Sequence, residues 1–242
     1  MKAHKIRSES PYTLEEVLRL VRDSVELNIN INEKDEEKIK NGIFFGNLEE
    51  GAKDEFNKVI LSDYVDVIFH KLENLNVLKD FLPELSLCYN FNQKTKYHNR
   101  DVFNHIMSVT SLVPKSKVLR YAALFHDIAK PNCFTIDENG VGHFKNHDIA
   151  SSIMARDILK KWNYEDEFID DVTKLIKNHM KKHNDGSIAC LKRLKKDIGR
   201  ENVNNLLVLQ IADNLSKNLK YVSIKGLVSL YKINNKKAVC EA

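Results

Sequence analysis

Residues 119–131, Leu119-Arg-Tyr-Ala-Ala-Leu-Phe-His-Asp-Ile-Ala-Lys-Pro131, decide the fold of this region of the chain. Leu119 and the two following alanines recur at the spacing of an α-helix, and His126 continues the same face. His126 therefore occupies a position that faces the core. Asp127 follows about 100° around the helix. Because an unpaired buried charge is costly, a buried Asp127 needs a cationic side chain or a metal ion beside it.

Four other predicted helices also carry a histidine or an aspartate on an apolar face. His105 and His147 each begin an apolar stripe, whereas His179 and Asp213 each end one. One histidine on such a face is most often a hydrogen-bonded core residue, but five helices that each offer a ligand-type side chain suggest a common centre. Imidazoles and carboxylates together bind Mn, Fe, Co, Ni, Zn or Mg. The pattern therefore indicates a divalent metal site.

The scarcity of glycine and proline favours an all-α fold. The chain of 242 residues has only 8 Gly and 4 Pro. Turn-rich sandwiches, barrels and propellers use these residues at most connections. The glycine-rich dinucleotide and P-loop patterns are both absent from the sequence. The expected interruptions are a loop or hinge over residues 28–51 and a turn-like segment over residues 131–146.

The overall composition is that of a globular protein. Apolar residues make up 43% of the chain and charged residues 30%. No apolar run approaches the ~18–20 residues of a membrane span, and the N-terminus lacks the apolar segment of a signal peptide. The four cysteines form no C-x-x-C pair. We therefore expect reduced thiols, a cytoplasmic location and no membrane partner.

The net charge of +4 is unevenly distributed. Residues 181–242 contain 13 Lys/Arg and 5 Asp/Glu, a balance of +8, which leaves −4 for residues 1–180. A solvated helix face explains such a stretch. That is the usual explanation, and the functional alternative is a basic surface that attracts an anionic substrate such as a phosphate or RNA. Charge alone leaves both interpretations open.

The order His105, His126-Asp127, Asp213 resembles the H…HD…D signature of the HD-domain metal-dependent phosphohydrolase superfamily. The flanking segments, Tyr97–His105, Leu119–Pro131 and Gly142–His147, resemble the HD half of bacterial CCA-adding tRNA nucleotidyltransferases and their poly(A) polymerase-like relatives. The similarity extends over about residues 55–220. Ala129 stands where that family often has glycine.

This resemblance implies an all-α helical bundle. The HD domain is expected over residues 85–231, after a small helical neck-like region over residues 1–84 and before a polar tail over residues 232–242. The nucleotidyltransferase head of the family requires a Gly-Gly or Gly-Ser turn followed by paired aspartates. Gly186-Ser187 is the only such dipeptide, and no D-x-D follows it. We therefore expect a free-standing neck and HD domain that does not add CCA by itself.

The resemblance also implies the site. His105, His126, Asp127 and Asp213 are expected to bind one divalent ion, and His147 and His179 to bind a second ion or the substrate. Lys130, one turn past His126, is expected to contact a phosphate and to be catalytic together with Asp127. The alternative for Lys130 is a cation favoured by the helix dipole. We expect His98 and Arg120 to be structural and His143 to be an exposed loop residue.

The implied function is a metal-dependent phosphohydrolase that acts through a metal-activated water on a phosphomonoester or cyclic phosphodiester, such as a nucleotide or an RNA end. A second hypothesis is an RNA (tRNA-like) binding module, or a partner of a separate nucleotidyltransferase head, that uses the basic residues 181–242. A third is a helical protein whose His and Asp residues have no catalytic use. The sequence leaves open the substrate, the metal, the oligomeric state and the role of residues 1–54.

Overall fold

The computed structural model describes residues 8–9, 11–44, 48–182, 187–220 and 222–240, with side chains from 11 to 235 within those ranges. The chain divides into two compact units, Met1–Tyr89 and Asn90–Ala242. Helices dominate both units, and the described strands form two small two-stranded pairs. The prediction of an all-α fold is confirmed.

The first unit is built around helix α1. Its elements are β1 (Ser8–Glu9), α1 (Leu14–Glu26), α2 (Glu33–Asn41), β2 (Gly42–Ile43), α3 (Glu50–Leu61), α4 (Val65–Asn74), α5 (Leu78–Phe81) and α6 (Pro83–Ser86). Thr13 and Glu16 form a capping box that begins α1, and α1 packs on α3 and α4. The ring of Phe56 lies edge-on to Phe69 and Phe81 at centroid distances of 5.9 and 5.8 Å.

The expectation of a loop or hinge over residues 28–51 was wrong for residues 33–41, and residues 45–47 of that range lie outside the described residues. Helix α2 lies inside that range, and its N-terminal cap is Asn32, whose side chain accepts a hydrogen bond from the backbone of Asp35 at 3.0 Å. Ile39 is its only residue classed as buried. A short helix with one buried residue has almost no apolar periodicity, so the pattern used for the prediction could not detect it.

The second unit places one helix at its centre. Its elements are α7 (Val102–Leu112), α8 (Lys117–Phe125), a 3-10 turn (Lys130–Cys133), β3 (Phe134–Ile136), β4 (Gly142–Phe144), α9 (His147–Lys161), α10 (Asp166–Asn178), α11 (Ile188–Ile198), α12 (Arg200–Leu215) and α13 (Lys225–Cys240). Every residue of α8 from Leu119 to Phe125 is buried. This helix packs against α7, α9, α10 and α12. The stretch that the sequence singles out is therefore the core of the unit.

The turn-like segment over residues 131–146 contains the 3-10 turn and an antiparallel hairpin of β3 and β4. Gly142 allows this hairpin to approach the preceding chain closely. Its backbone N–H donates to the carbonyl of Lys94 at 2.8 Å. A Cβ at position 142 would collide with the carbonyl oxygen of Gln93 and the ring of Phe134. Only glycine fits here without movement of the backbone.

The predicted domain boundaries at 84/85 and 231/232 stay predictions. The division between the two units falls after Tyr89, and α13 continues through residue 232 to Cys240. Among the helices described, none combines the length and the apolar character that a bilayer crossing requires.

Candidate metal centre

Six ligand-type side chains meet in the second unit, most of them at the ends of helices. His105 lies in the interior of α7. His126 and His179 are the C-terminal cap residues of α8 and α10. The other three are Asp127 directly after His126, His147 at the first residue of α9, and Asp213 in the last turn of α12. All six are between 0% and 6% exposed. The structure thus brings together every metal-ligand candidate from the sequence, while their roles stay predictions.

Asp127 lies between two groups of imidazoles. Its Oδ2 is 3.2 Å from Nε2 of both His105 and His126. Its Oδ1 is 3.1 Å from His147 Nε2 and 3.6 Å from His179 Nε2. The ligand atoms of each group, with Asp127 in both, lie within 4.8 Å of one another. Each group could therefore hold a metal ion, and one carboxylate would serve both.

Asp213 brings a second carboxylate to the first group. Its Oδ1 is 3.1 Å from His105 Nε2 and 3.9 Å from His126 Nε2. Its Oδ2 accepts a hydrogen bond from Lys217 Nζ at 2.6 Å. Two imidazoles and two carboxylates are thus arranged around one point. This donor set of nitrogen and oxygen suits the borderline and hard divalent metals.

Three of the imidazoles are oriented by backbone carbonyls. Nδ1 of His126, His147 and His179 lies 2.7 Å from the carbonyl oxygen of the residue three positions earlier. A carbonyl can only accept, so each Nδ1 carries the proton and donates it. The lone pair of each neutral ring is then on Nε2, which lies towards the carboxylates. Such outer hydrogen bonds fix the tautomer of metal-binding histidines.

The charges of the centre are strongly coupled. Burial disfavours the ionised Asp127, but the neighbouring His126 and Lys130 outweigh burial and hold the pKa of Asp127 well below its usual range. Burial is likewise outweighed at Asp213, where Lys217 and His105 hold the pKa well below the usual range. Burial also opposes the charged form of His126, yet the two aspartates raise its pKa. Protons and a divalent cation would therefore compete for this centre.

Several buried atoms of the centre have no hydrogen-bond partner among the described residues. They include Asp127 Oδ1, Asp213 Oδ1 and His147 Nε2. Buried polar atoms in proteins are normally satisfied. His147 Nε2 and Asp127 Oδ1 lie 3.1 Å apart, and with the proton on Nδ1 both are acceptors. A cation between them would satisfy both, so the residues present fit a divalent metal ion.

Lys130 lies beside this centre and is 4% exposed. Its ammonium forms an ion pair with Asp127 Oδ2 at 2.7 Å and donates a hydrogen bond to Gln93 Oε1 at 2.8 Å. It also lies 5.3 Å from the ring centroid of Phe144. A cavity of about 270 Å³ opens here, with Asp127, Lys130, Asp213 and Lys217 among its lining residues. Two cations and two carboxylates thus face one small space.

The remaining motif residues surround the cavity or lie in the core. The ring of His98 packs edge-on to His105 at a centroid distance of 4.8 Å. Burial and the nearby Lys130 lower the pKa of His98 to about 2, so it is neutral in the fold. His143 is exposed in the hairpin and lies 2.8 Å from Asp137. Arg120 is buried at 4% exposure.

Three further residues, Lys217, Gln210 and Gln93, belong to the surroundings of the site, and none of them was predicted from the sequence. Lys217 follows Asp213 by four residues, a spacing at which helical side chains meet and which could have revealed the pair. Gln210 Nε2 lies 2.9 Å from the carbonyls of both His179 and Lys181, and so stabilises the end of α10. Gln93 lies in an irregular segment where no periodic signal exists.

Comparison with known proteins places this centre in a family. A family model described as HD domain matches residues 95–218. A CC-adding tRNA nucleotidyltransferase from Thermus thermophilus is 30% identical over 137 residues, which are 54% of this chain and 31% of that protein. An A-adding tRNA nucleotidyltransferase from Deinococcus radiodurans is 28% identical over 137 residues, again 54% of this chain and 31% of that protein. The aligned part of the chain thus spans less than a third of the length of these relatives.

The matched range contains every ligand-type residue of the centre, from His105 to Asp213. It also covers more than half of the chain. The geometry of the centre and the family match agree on the same segment. The chain belongs to the HD domain family.

Proposed function

We propose that this protein is a metal-dependent phosphohydrolase that acts on a phosphomonoester or cyclic phosphodiester, including a nucleotide or an RNA end. The observation that carries the proposal is the convergence of fixed Nε2 lone pairs with two buried carboxylates. The HD domain is in general the domain of a metal-dependent hydrolase superfamily. A cluster built only to stabilise the fold would pair its acceptors with donors, and this cluster leaves several acceptors unsatisfied.

His105, His126, Asp127 and Asp213 would hold the first cation. His147 and His179 would hold a second one with Asp127, or would contact the substrate. The charges of two carboxylates match one divalent ion. When bound, such an ion lowers the pKa of a coordinated water and offsets charge that grows on a phosphoryl group.

Lys130 and Lys217 would orient the phosphate. Each ammonium forms an ion pair with one carboxylate of the centre, so its position is fixed before a substrate arrives. The side chain of Lys130 is 5% exposed and that of Lys217 is 12% exposed. A cation held away from bulk water attracts a phosphate oxygen more strongly than an exposed one does. These two lysines therefore both supply positive charge to the same cavity.

The cavity volume of about 270 Å³ favours a small reacting group. It lies just below the ~300–1,000 Å³ typical of ligand pockets. A terminal or cyclic phosphate with part of its sugar would fill it. The rest of the molecule would extend past Tyr97 and Met180, which line the cavity and are 45% and 46% exposed.

The same proposal assigns residues 85–231 to the HD domain, residues 1–84 to a neck-like region and residues 232–242 to a tail. These boundaries could be tested by limited proteolysis with mass spectrometry of the fragments. Cleavage concentrated near residues 84 and 232 would support them. Cleavage inside α8 or α12 before the neck-like region is released would contradict them.

The second candidate function is RNA binding, either alone or as the partner of a separate nucleotidyltransferase head. The observation that favours it is the position of Lys181, Lys182 and Lys217 beside the centre. The names of the two relatives also refer to tRNA. If this function holds, the logarithm of the tRNA association constant should fall by about 0.7–0.9 per unit of log salt for each phosphate contact. A response that is flat across salt would remove this candidate.

The hydrolase proposal is tested by metal content together with turnover. Chelator-treated protein is reloaded with Mn, Mg, Fe, Co, Ni or Zn, and bound metal is measured after desalting. Each loaded form is then assayed with an aryl phosphate, 3′- and 5′-mononucleotides and 2′,3′-cyclic nucleotides. We expect at least one ion to support either phosphate release from a monoester or ring opening of a cyclic nucleotide, and Asp213→Asn should abolish that hydrolysis. Protein that binds no ion and hydrolyses none of these compounds would overturn the proposal.

A further inference from the structure

A second cavity of about 360 Å³ adjoins the first. It lies between the end of α10, the C-terminal part of α12 and the start of α13. Its lining includes Lys181, Lys182, Gln210, Asn214 and Ser223. No motif of the sequence points to this cavity, and nothing in the HD signature involves these side chains.

The two cavities share one wall, formed by His179, Met180, Asp213 and Lys217. Lys217 is the important member of this wall because its ammonium is held by Asp213 at 2.6 Å. A single fixed cation therefore lies between the metal centre and the second cavity. A molecule that occupied both cavities would pass directly over Lys217, which favours a ligand with negative charge at that point.

The lining of the second cavity combines positive charge with hydrogen-bonding groups. Lys182 is exposed and has no acidic partner among the described residues, whereas Lys181 is paired with Asp197 at 2.9 Å. Asn214 and Ser223 add an amide and a hydroxyl. This composition suits a ligand that carries both phosphates and polar groups.

Gln210 gives a second, independent indication of a ligand. It is 2% exposed, and its Nε2 donates to the carbonyls at the end of α10. Its Oε1 is buried and has no hydrogen-bond partner in the described part of the chain. Because Gln210 lines the second cavity, a ligand there could supply the missing donor. A sugar hydroxyl or the exocyclic amine of a base provides such a donor.

We propose that the second cavity binds the nucleotide next to the phosphate that occupies the first cavity, so that the preferred substrate is the end of a single-stranded oligonucleotide and not a mononucleotide. This inference rests on the proposed phosphohydrolase function. The terminal phosphate enters the metal centre, the next phosphate lies near Lys217, and the adjoining nucleoside reaches Lys182 and Gln210. A mononucleotide fills only the first cavity and forgoes these contacts.

The test compares oligonucleotides with mononucleotides on metal-loaded protein. Hexamers of RNA and of DNA, each with a 3′- or a 5′-terminal phosphate, are assayed beside the matching mononucleotides. We expect kcat/KM of the better hexamer to exceed that of its mononucleotide by at least about tenfold, since two or more additional contacts of an exposed type contribute up to about fivefold each. Equal values for RNA and DNA would identify any single strand as the ligand, and a preference for RNA would identify the ribose hydroxyls as part of it.

Lys182→Glu is the informative variant, and Lys160→Glu is its matched control. Both lysines are exposed, and both substitutions change the net charge equally, but Lys160 lies on α9 and lines neither cavity. We expect Lys182→Glu to lower the ratio of hexamer to mononucleotide kcat/KM by roughly tenfold, because it removes one favourable contact and adds one unfavourable contact. Lys160→Glu should change that ratio less than twofold.

Binding is measured as well, by fluorescence anisotropy of labelled hexamers on the metal-free protein. No preference for the hexamer over the mononucleotide, or equal effects of the two charge reversals, overturns the inference even if the protein is a hydrolase. Hexamer binding that depends on Lys182 in a protein without turnover overturns the hydrolase proposal instead. In that case the second cavity is still a nucleotide-binding site. The failure of the oligonucleotide inference and the failure of the hydrolase proposal therefore give different results.

Discussion

Replacing Asp127 by asparagine should abolish most of the thermal stabilisation that divalent cations give the protein. Its two carboxylate oxygens lie 3.1–3.6 Å from four different imidazoles, and one of them also forms an ion pair with Lys130. Asparagine has the same shape but no charge, and its amide nitrogen cannot bind a metal. The variant therefore leaves one neutral oxygen where a carboxylate offered two anionic oxygens to the two groups of histidines, and it opens no cavity.

The size of the cation-dependent shift in Tm follows from the linkage between binding and folding. A cation at a thousand times its dissociation constant stabilises a protein by about 4.1 kcal/mol. For a unit of this size, each kcal/mol raises Tm by roughly 2–4 °C, so we expect a rise of roughly 8–16 °C in the natural sequence. Asp127→Asn should reduce this rise to less than about 3 °C. The cation-free variant should itself melt at a lower temperature, because the buried Lys130 loses its carboxylate, so the comparison uses the shift and not Tm itself.

Trp162 provides the assay. It is the chain's single tryptophan, it is 1% exposed, and its ring lies 6.2 Å from that of Phe125, the residue before His126. Its fluorescence therefore follows the unfolding of the second unit specifically. Asp137→Asn is the matched control, because Asp137 also pairs with a histidine, at 2.8 Å, but lies in the exposed hairpin. This control should keep the full cation-dependent shift.

One result would refute the reasoning. If Asp127→Asn retains the cation-dependent shift of the natural sequence, the ion binds elsewhere and the buried cluster is not the metal centre. Loss of the shift in Asp137→Asn as well would show that the response follows net charge. Measurement of bound metal in the same samples separates these outcomes from a change in unfolding behaviour.

Three further outcomes are expected. Lys130→Met should raise metal affinity, because it removes a cation from Asp127. It should also lower kcat by about 10²-fold, because a positive charge beside the phosphate is lost. Metal titration and steady-state kinetics measure the two effects, and a lower metal affinity would contradict the role assigned to Lys130. In the folded protein His98 stays neutral with a pKa of about 2, against 6.5 when unfolded, so its contribution to stability is lost as pH falls below 6.5. The free energy of unfolding of the metal-free protein, measured in urea, should therefore fall by about 1 kcal/mol less between pH 6.5 and 5.5 in His98→Phe than in the natural sequence. The same pH dependence in both proteins would contradict this. Gln210→Leu should destabilise the second unit by roughly 1–3 kcal/mol, because the carbonyls of His179 and Lys181 lose their donor, and an unchanged urea midpoint would count against that role.

Helical phase accounts for what could be predicted about the site. His126 follows Leu119 by seven residues, and His179 and Asp213 end similar stripes, so each was expected to face a core. The structure buries all three. The helical phase of a residue predicts which face of its helix it occupies, but it does not predict how close two helices lie to each other. The division of Asp127 between two groups of imidazoles therefore required coordinates.

The unpredicted parts of the site come from residues without a periodic context. Gln93 reaches Lys130 from an irregular segment, and Gly142 allows that segment and the hairpin to come close together. The second cavity joins residues from the end of α10 with residues from α12 and α13, which lie about 30–50 positions further along the chain. Each of these features depends on tertiary packing, which a pattern within one helix cannot report.

The low glycine content has a structural explanation that joins the fold to the site. Helices α1, α4 and α9 end with asparagine in the left-handed conformation, at Asn28, Asn76 and Asn163, where glycine is usual. The imidazoles of His126 and His179 instead occupy the ends of α8 and α10 and donate to carbonyls of the last turn. Because carbonyls of a last turn lack partners within their helix, these histidines both satisfy a carbonyl and present Nε2 to the centre. The same hydrogen bonds that complete the helix ends therefore orient the candidate metal ligands.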